Sequence, residues 1–192
     1  MAFGSWDLRY DKKYIILLKM KKVVAFVDGF NLYYSMQKSQ GNVLHKYKWL
    51  NLRTLLNKYI FPQTEALDEI YYFSALTNDN DKRMRHLTYV NALRSEKIKA
   101  VWGYLRYDPT DCPSCKITFM RPIEKQTDAN IISQVMKMAI LDEFDLALIV
   151  SADSDLVPMI KAVKQIKPSK EFRVVIPINQ NCLLYTSPSP RD

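Results

Sequence analysis

The sequence predicts an α/β fold of three layers, in which helices cover both faces of a central, mostly parallel sheet. Five short apolar stretches recur along the chain, and segments with helical spacing of apolar residues separate them. The stretches at 22–27 and 146–150 are apolar almost without interruption, which is typical of strands buried on both faces. Strands that alternate with helices in this way favour a sheet between two helical layers.

The first half of the chain is predicted to alternate strand and helix. β-Branched residues before Asp28-Gly29 predict the first strand, and a short helix follows. Leucines spaced three and four apart predict a second helix that Pro62 ends, and the run Ile-Tyr-Tyr-Phe predicts the second strand. Asn and Asp residues cap a long third helix, and an aromatic-rich run after it predicts the third strand. These elements cover residues 22–27, 31–38, 50–60, 67–76, 78–96 and 98–107.

The second half begins with an excursion over residues 108–120 that is predicted to be irregular. The spacing of Ile131, Val135 and Met138 then predicts a helix that starts near Thr127 or Asp128. The run Leu-Ala-Leu-Ile-Val predicts the fourth strand, and a helix and a short fifth strand follow. These elements cover residues 126–141, 146–150, 156–166 and 172–176.

Both ends of the chain are expected to lie outside the domain. Residues 20–28 resemble a bacterial start that runs directly into the first strand, so 1–19 is expected to be an upstream extension or a disordered arm. Residues 182–192 back-translate into a transposase adapter used in sequencing libraries, and are expected to be read-through in which Cys182 has no meaning. The domain is then 20–181, truncated at its C-terminus.

Composition excludes several kinds of site. Only four glycines occur, widely scattered, so neither a Walker loop nor a dinucleotide fingerprint can be formed. Only two histidines occur, far apart, which excludes an HExxH zinc helix and argues against a histidine-based nucleophile triad. Carboxylates must therefore carry any catalysis. The formal net charge of +8 indicates a polyanionic partner.

No apolar run approaches the roughly 20 residues that span a bilayer, and none has the features of a signal peptide. We therefore expect a cytoplasmic protein without a membrane partner. The sequence leaves the oligomeric state open, a homo-oligomer included.

Four aspartates lie where the predicted fold brings them to one edge of the sheet. Asp28 follows the first strand, Asp153 and Asp155 follow the fourth, and Asp128 stands where a helix begins. Ligands of such sheets bind beyond the carboxyl ends of the strands. Carboxylates are the ligands that Mg²⁺ prefers, and a metal held this way promotes phosphoryl displacement. Each aspartate also has a structural alternative, as a turn residue at 28, a helix-dipole partner at 128 or a cap at 153 and 155.

Three segments together resemble the motifs of the NYN domain, a family of the PIN-like superfamily of metal-dependent ribonucleases. They are residues 27–31 (VDGFN), 124–128 (EKQTD) and 151–158 (SADSDLVP). The resemblance implies a Rossmann-like sheet of order 3-2-1-4-5 and a site that binds Mg²⁺ or Mn²⁺. Carried over residue by residue, that site comprises Asp28, Asn31, Asp128, Asp153 and Asp155, with Ser151 beside it.

We therefore expect a divalent-metal-dependent ribonuclease, with a catalytically silent RNA-binding or adaptor domain as the alternative. A phosphatase of the haloacid-dehalogenase type is set aside, because it needs a second acid where Phe30 stands. The expected catalytic and metal-binding residues are Asp28, Asp128, Asp153 and Asp155. The expected substrate-binding residues are Asn31, Ser151, Tyr33, Lys125 and Lys164.

Two further features carry alternatives. Cys112 and Cys115 have the spacing of half a tetrahedral zinc site, or are two ordinary reduced thiols. Lysines recur every three residues from Lys161 to Lys170, either as a solvated face or as a cradle for phosphates. Tyr33 and Tyr34 are expected to stack on bases at the pocket mouth.

Overall fold

The computed structural model describes residues 20–37 and 49–177. The expectations for 1–19 and 182–192 concern residues outside these ranges, as do His45 and Cys182.

Five parallel strands form the central sheet, in the order β3-β2-β1-β6-β7. This confirms the predicted fold class and the order 3-2-1-4-5, since β6 and β7 are the fourth and fifth strands of that sheet. The central strand β1 pairs with β2 on one side and with β6 on the other, so that Val27 lies between Tyr72 and Val150. The strands are β1 (Lys21–Asp28), β2 (Glu65–Ser74), β3 (Lys99–Trp102), β6 (Leu146–Val150) and β7 (Glu171–Val175).

Five α-helices flank the sheet in the described part of the chain. They are α1 (Gly29–Gln37), α2 (Leu52–Leu56), α3 (Asn80–Ser95), α4 (Thr127–Ile140) and α5 (Val157–Ile166). One short 3₁₀ turn, Asn57–Tyr59, follows α2, and another, Ser154–Leu156, precedes α5. Side chains cap the starts of α2 and α3: Asn51 accepts from the N–H of Thr54, and Asp79 from that of Lys82.

Alternate side chains of β1 enter two different cores. Val23, Ala25 and Val27 pack against α1, α2 and α3, whereas Val24 and Phe26 pack against α4 and α5. All five side chains are fully buried. Burial of an aliphatic or aromatic side chain of this size contributes about 1.5–3 kcal/mol, so the sheet is held from both faces. This double packing fixes the carboxyl end of β1, where Asp28 stands.

Strands β4 (Tyr104–Asp111) and β5 (Thr118–Lys125) form an antiparallel hairpin separate from the sheet. The prediction of an irregular excursion at 108–120 was therefore wrong, and the predicted strand 98–107 is divided at Gly103. Pro109 and Pro122 argued against strands there, because proline cannot donate to a ladder. A two-stranded ribbon tolerates them, since each of its strands is an edge.

None of the helices described here is long and apolar enough to cross a membrane.

Candidate active site

A pocket of about 320 Å³ opens at the carboxyl edge of the sheet. Its walls come from the end of β1, the first two turns of α1, the end of β5, the start of α4 and the turn after β6. Residues from all three motifs line it, which places their side chains around one space. The lining residues are Asp28, Phe30, Asn31, Tyr34, Glu124, Asp128 and Asp153.

Asp28 lies at the base of this pocket and is only 5% exposed. Its Oδ1 accepts a hydrogen bond of 2.9 Å from the N–H of Asn31, and its Oδ2 accepts one of 3.0 Å from the Ser151 hydroxyl. The first bond caps the start of α1. Asp28 therefore has a structural role as a helix cap, which differs from the turn considered as its alternative, and it also lines the pocket. The close packing of the start of α1 requires glycine at position 29, because a Cβ there would lie 2.6 Å from Cζ of Tyr72.

Two further bonds hold the turn after β6: the first joins it to α1, and the second lies within the turn. The amide oxygen of Asn31 accepts from the N–H of Ala152 at 3.2 Å. The Ser151 hydroxyl oxygen accepts from the N–H of Asp153 at 3.1 Å. Asn31 and Ser151 therefore position the carboxylates that the sequence assigned to the site.

Asp153 also has two roles. Its Oδ1 accepts from the N–H of Asp155 at 2.9 Å and so caps the 3₁₀ turn, while the same side chain lines the pocket. Asp155 itself is exposed and is not among the lining residues.

Glu124, which the sequence-based assignment did not include, is part of this site. Its Oε1 atom is buried and has no hydrogen-bond partner of good geometry in the described structure. Gly103 allows β5 to approach closely, because a Cβ at that position would lie 2.6 Å from the carbonyl oxygen of Lys125. A prediction of the β4–β5 hairpin would have placed Glu124 near the end of a strand and close to Asp128. Because 108–120 was predicted to be irregular, this indication was missed.

The carboxyl groups of the pocket are hard to ionise together. Burial raises the pKa of Asp28 to about 6; the bonds from Asn31 and Ser151 oppose this rise, and Asp128 and Asp153 add to it. Burial likewise raises the pKa of Glu124 to about 7, with the same three aspartates adding to the effect and nearby Thr127 opposing it. The pKa of Asp128 is raised by burial and by Asp153 and Asp155.

This donor set suits a hard divalent cation. Carboxylate oxygens are the ligands that Mg²⁺ and Mn²⁺ prefer, and the unpartnered Oε1 of Glu124 is one that an ion would satisfy. As the side chains stand, no three His, Cys, Asp or Glu residues within 20–37 and 49–177 are arranged to hold an ion. Ligation by three of the pocket carboxylates therefore requires their side chains to turn toward a common point.

The remaining predicted binding residues are not among the lining residues. Tyr33 and Lys125 adjoin residues that are, whereas Lys164 lies in the last turn of α5, toward the amino edge of the sheet and away from the pocket. Tyr33 is 38% exposed on α1 next to Tyr34, which does line the pocket. Lys125 follows Glu124 at the end of β5. Lys164 is exposed on α5, where its Nζ donates to the carbonyl oxygen of Pro168 at 3.3 Å.

Comparison with known proteins agrees with this fold. The family model described as the NYN domain matches residues 22–178, and the chain therefore belongs to the NYN domain family. That family has a PIN-like fold typical of nucleases, which is the class that this sheet and its acidic pocket define.

Two individual similarities are more distant. The chain is 25% identical over 174 residues to the 6-hydroxy-3-succinoylpyridine 3-monooxygenase HspA of Pseudomonas putida (strain DSM 28022 / S16). That match covers 72% of this chain and 54% of the relative, so the chain spans about half the length of that curated protein. The crystal structure of VPA0982, a protein of unknown function from Vibrio parahaemolyticus RIMD 2210633, matches with a TM-score of 0.50 and 19% identity. The match covers 82% of each chain, and it supports the fold alone.

Proposed function

We propose that the chain is a divalent-metal-dependent ribonuclease that hydrolyses RNA phosphodiesters at the carboxylate pocket. The observation that carries this proposal is the convergence of Asp28, Glu124, Asp128 and Asp153 on one pocket from three separate segments. An acidic pocket alone repels phosphate, whereas the whole chain carries a formal net charge of +8. A cation held by the carboxylates reconciles these two facts, because it allows a polyanion to approach the acids.

In this mechanism Asp28, Asp128 and Asp153 would hold the ion. When bound, Mg²⁺ or Mn²⁺ supplies a Lewis acid that activates water and offsets charge on the phosphodiester. Asn31 and Ser151 keep Asp28 in one orientation through their hydrogen bonds. In the metal-free protein, burial and the neighbouring aspartates raise the pKa of Glu124 to about 7. A bound cation would lower this pKa and leave Glu124 as a carboxylate that can accept a proton, as general base catalysis requires.

The walls of the pocket favour a single-stranded substrate. The Tyr34 ring is 48% exposed, lines the pocket and stacks on Phe30, with centroids 6.0 Å apart and planes at 21°. An aromatic ring presented in this way can stack on an unpaired base, which is unavailable in a duplex.

The alternative function is an RNA-binding or adaptor domain that keeps the pocket without turnover. The name of the Pseudomonas relative denotes a monooxygenase of a hydroxylated pyridine. We do not carry that chemistry to this chain, because the match covers only 54% of the relative and the pocket is lined mainly by acids.

The decisive experiment measures cleavage of a labelled single-stranded RNA with and without Mn²⁺, together with the melting temperature under both conditions. We expect Mn²⁺ to raise the melting temperature and to be required for cleavage. Asp28→Asn and Asp128→Asn should both abolish cleavage and reduce the thermal shift, because they serve one site. Asp81→Asn, on the exposed first turn of α3, is the matched control and should behave as wild type.

Three outcomes would contradict the proposal. RNA binding without cleavage under any metal condition identifies the adaptor alternative. Cleavage by Asp28→Asn at the wild-type rate places the reaction elsewhere. An unchanged melting temperature of the wild type in Mn²⁺ shows that the carboxylates do not bind the ion.

A further inference from the structure

The turn of the β4–β5 hairpin carries a feature that the proposed nuclease activity does not use. This turn holds Cys112 and Cys115, both of which are free thiols, and it lies at the opposite end of the hairpin from Glu124. Asp111 pairs with Thr118 at the turn end, whereas Tyr104 pairs with Lys125 at the pocket end. The cysteine pair is therefore separate from the carboxylate site.

Two backbone hydrogen bonds of Cys112 close this turn. Cys112 N–H donates to the carbonyl oxygen of Ile117 at 2.9 Å, and Lys116 N–H donates to the carbonyl oxygen of Cys112 at 2.9 Å. Lys116 adopts a left-handed conformation with φ of 59°, which lets the chain reverse directly after Cys115. The N–H groups of Cys115 and Ser114, with the Cys115 thiol itself, lower the pKa of Cys112. Two thiols three residues apart thus stand in one tight turn, with backbone donors near Cys112.

Two adjacent thiols are half of a structural zinc site. Zn²⁺ in such sites takes four ligands in a tetrahedron, commonly thiolates supplied as pairs with this spacing. No third His, Cys, Asp or Glu completes the pair within 20–37 and 49–177. A second copy of the chain, related by a twofold axis through the ion, would supply an identical pair and complete the tetrahedron.

The surface beside the cysteines fits a second copy. Ile117 and Phe119 lie two residues apart on the returning chain, so in an extended chain they share one face. They are 66% and 49% exposed, and Met120 next to them is 57% exposed. Met120 follows Phe119 in β5 and therefore points to the opposite face of the ribbon. Ile117 and Phe119 are thus the two large apolar side chains exposed together beside the thiols, and they indicate a contact surface. Lys116 adds positive charge beside the thiols, which offsets the negative charge of zinc held by four thiolates.

We propose that Cys112 and Cys115 bind Zn²⁺ together with the same two residues of a second copy, so that the hairpin is a zinc-linked dimerisation arm. Ile117 and Phe119 of each copy pack against those of the other copy beside the ion. The site is independent of the nuclease proposal, and either can fail without the other.

The test uses the full chain, reduced and stripped of metal with a chelator. Addition of Zn²⁺ should double the molar mass measured by light scattering, and gel-filtered protein should retain one zinc ion for two chains. Replacement of zinc by Co²⁺ should give the thiolate-to-cobalt absorption of a tetrahedral site with four sulfur ligands, which a carboxylate site cannot produce. Asp28→Asn, which alters the carboxylate pocket, should leave both results unchanged.

Variants separate the ligands from the surface. Cys112→Ser and Cys115→Ser should each abolish zinc-dependent dimerisation and the cobalt–thiolate absorption. Their metal-free melting temperature should equal that of the wild type, because both residues lie at a solvent-accessible turn. Cys182→Ser, outside the described residues, is the matched cysteine control and should dimerise normally. Ile117→Asp keeps all the thiols and should raise the zinc concentration needed for dimerisation.

Several results would overturn the proposal. Zinc retained by a monomer, or lost in Cys182→Ser or His45→Ala, shows that one chain completes its own site. A reduced protein that binds no zinc at its thiols shows that the pair is not a metal site. An Ile117→Asp variant that dimerises at the wild-type zinc concentration shows that the apolar surface is not part of the contact.

Discussion

The hydroxyl of Ser151 donates a hydrogen bond of 3.0 Å to Asp28 Oδ2, although the two residues are 123 positions apart in the sequence. The bond joins the ends of the adjacent strands β1 and β6. The same oxygen accepts from the N–H of Asp153 at 3.1 Å, so one hydroxyl positions two residues of the candidate site. Ser151 is 2% exposed, and water cannot readily replace it.

Ser151→Ala should therefore affect both stability and activity. A hydrogen bond to a charged group contributes about 1.5–3 kcal/mol, and we expect a loss of this order in the free energy of unfolding at pH 8. Metal-dependent RNA cleavage should fall about 10- to 100-fold, because groups that orient ligands have effects of that size. Denaturant unfolding and a cleavage assay measure the two effects. Ser95→Ala, on the exposed end of α3, is the control, and an equal loss of activity in it would contradict the argument.

The metal-free protein should lose stability as the pH rises from 4 to 7. The pKa of Asp28 is about 6 in the folded protein against an ordinary value of 3.8, and that of Glu124 is about 7 against 4.5. Between these limits the native state binds more protons than the unfolded chain, so the free energy of unfolding falls with rising pH. For Asp28 alone the full loss is about 3 kcal/mol.

Chemical unfolding in a chelating buffer at several pH values measures this dependence. Asp28→Asn removes one of the two groups and should flatten the curve, while Mn²⁺ should restore stability at the upper end of the range. Glu65 and Glu69 have lowered pKa values, and their contribution is lost only at more acidic pH. A wild-type curve that rises from pH 5 to 7 without metal would show that burial in the pocket does not raise the pKa values of Asp28 and Glu124.

The sequence was sufficient to predict the sheet and three of the four pocket carboxylates. The reason is that buried parallel strands such as 146–150 have an unambiguous apolar pattern, and their ends place Asp28 and Asp153 by topology alone. The prediction of secondary structure failed in the hairpin, where most side chains are exposed. Residues 104–107 of β4 lie within the predicted third strand, but 108–111 contain two aspartates and Pro109, and β5 is mostly exposed. Neither hydrophobic pattern nor propensity marks those two segments as strands.

The position of Glu124 depends on that hairpin and could not be predicted once it was missed. The sequence also could not show which of Tyr33 and Tyr34 lines the pocket. Adjacent residues of a helix point about 100° apart, and the structure shows Tyr34 stacked on Phe30 in the pocket lining.

Tyr34→Ala should weaken binding of single-stranded RNA. Stacking on one base contributes about 1–3 kcal/mol, which corresponds to a roughly 5- to 150-fold loss of affinity. Tyr34→Phe keeps the ring and should bind nearly as well as the wild type. Fluorescence anisotropy with a labelled oligonucleotide measures the affinities, and Tyr59→Ala, at a 40% exposed position outside the pocket lining, is the control. Equal losses in Tyr34→Phe and Tyr34→Ala would mean that the phenol hydroxyl, rather than the ring, makes the contact.

The four lysines that recur from Lys161 to Lys170 are not equivalent in the structure. Lys170 is only 4% exposed, and its Nζ contacts Asp142 Oδ1 at 2.9 Å and the carbonyl oxygen of Phe144. Lys167 pairs with the same aspartate at 2.7 Å. Lys161 and Lys164 are exposed, and they remain accessible to phosphates.

Lys164→Ala should weaken RNA binding and reduce the slope of log affinity against log salt by about one, as expected when one phosphate contact is lost. Metal binding should not change, because Lys164 lies outside the pocket lining. Lys170→Ala should leave the salt slope unaltered and instead lower stability by about 1–3 kcal/mol, since it leaves the carbonyl of Phe144 without its donor. RNA titrations at several salt concentrations, with thermal melts of both variants, test the distinction. A salt slope that falls in Lys170→Ala but not in Lys164→Ala would reverse these two assignments.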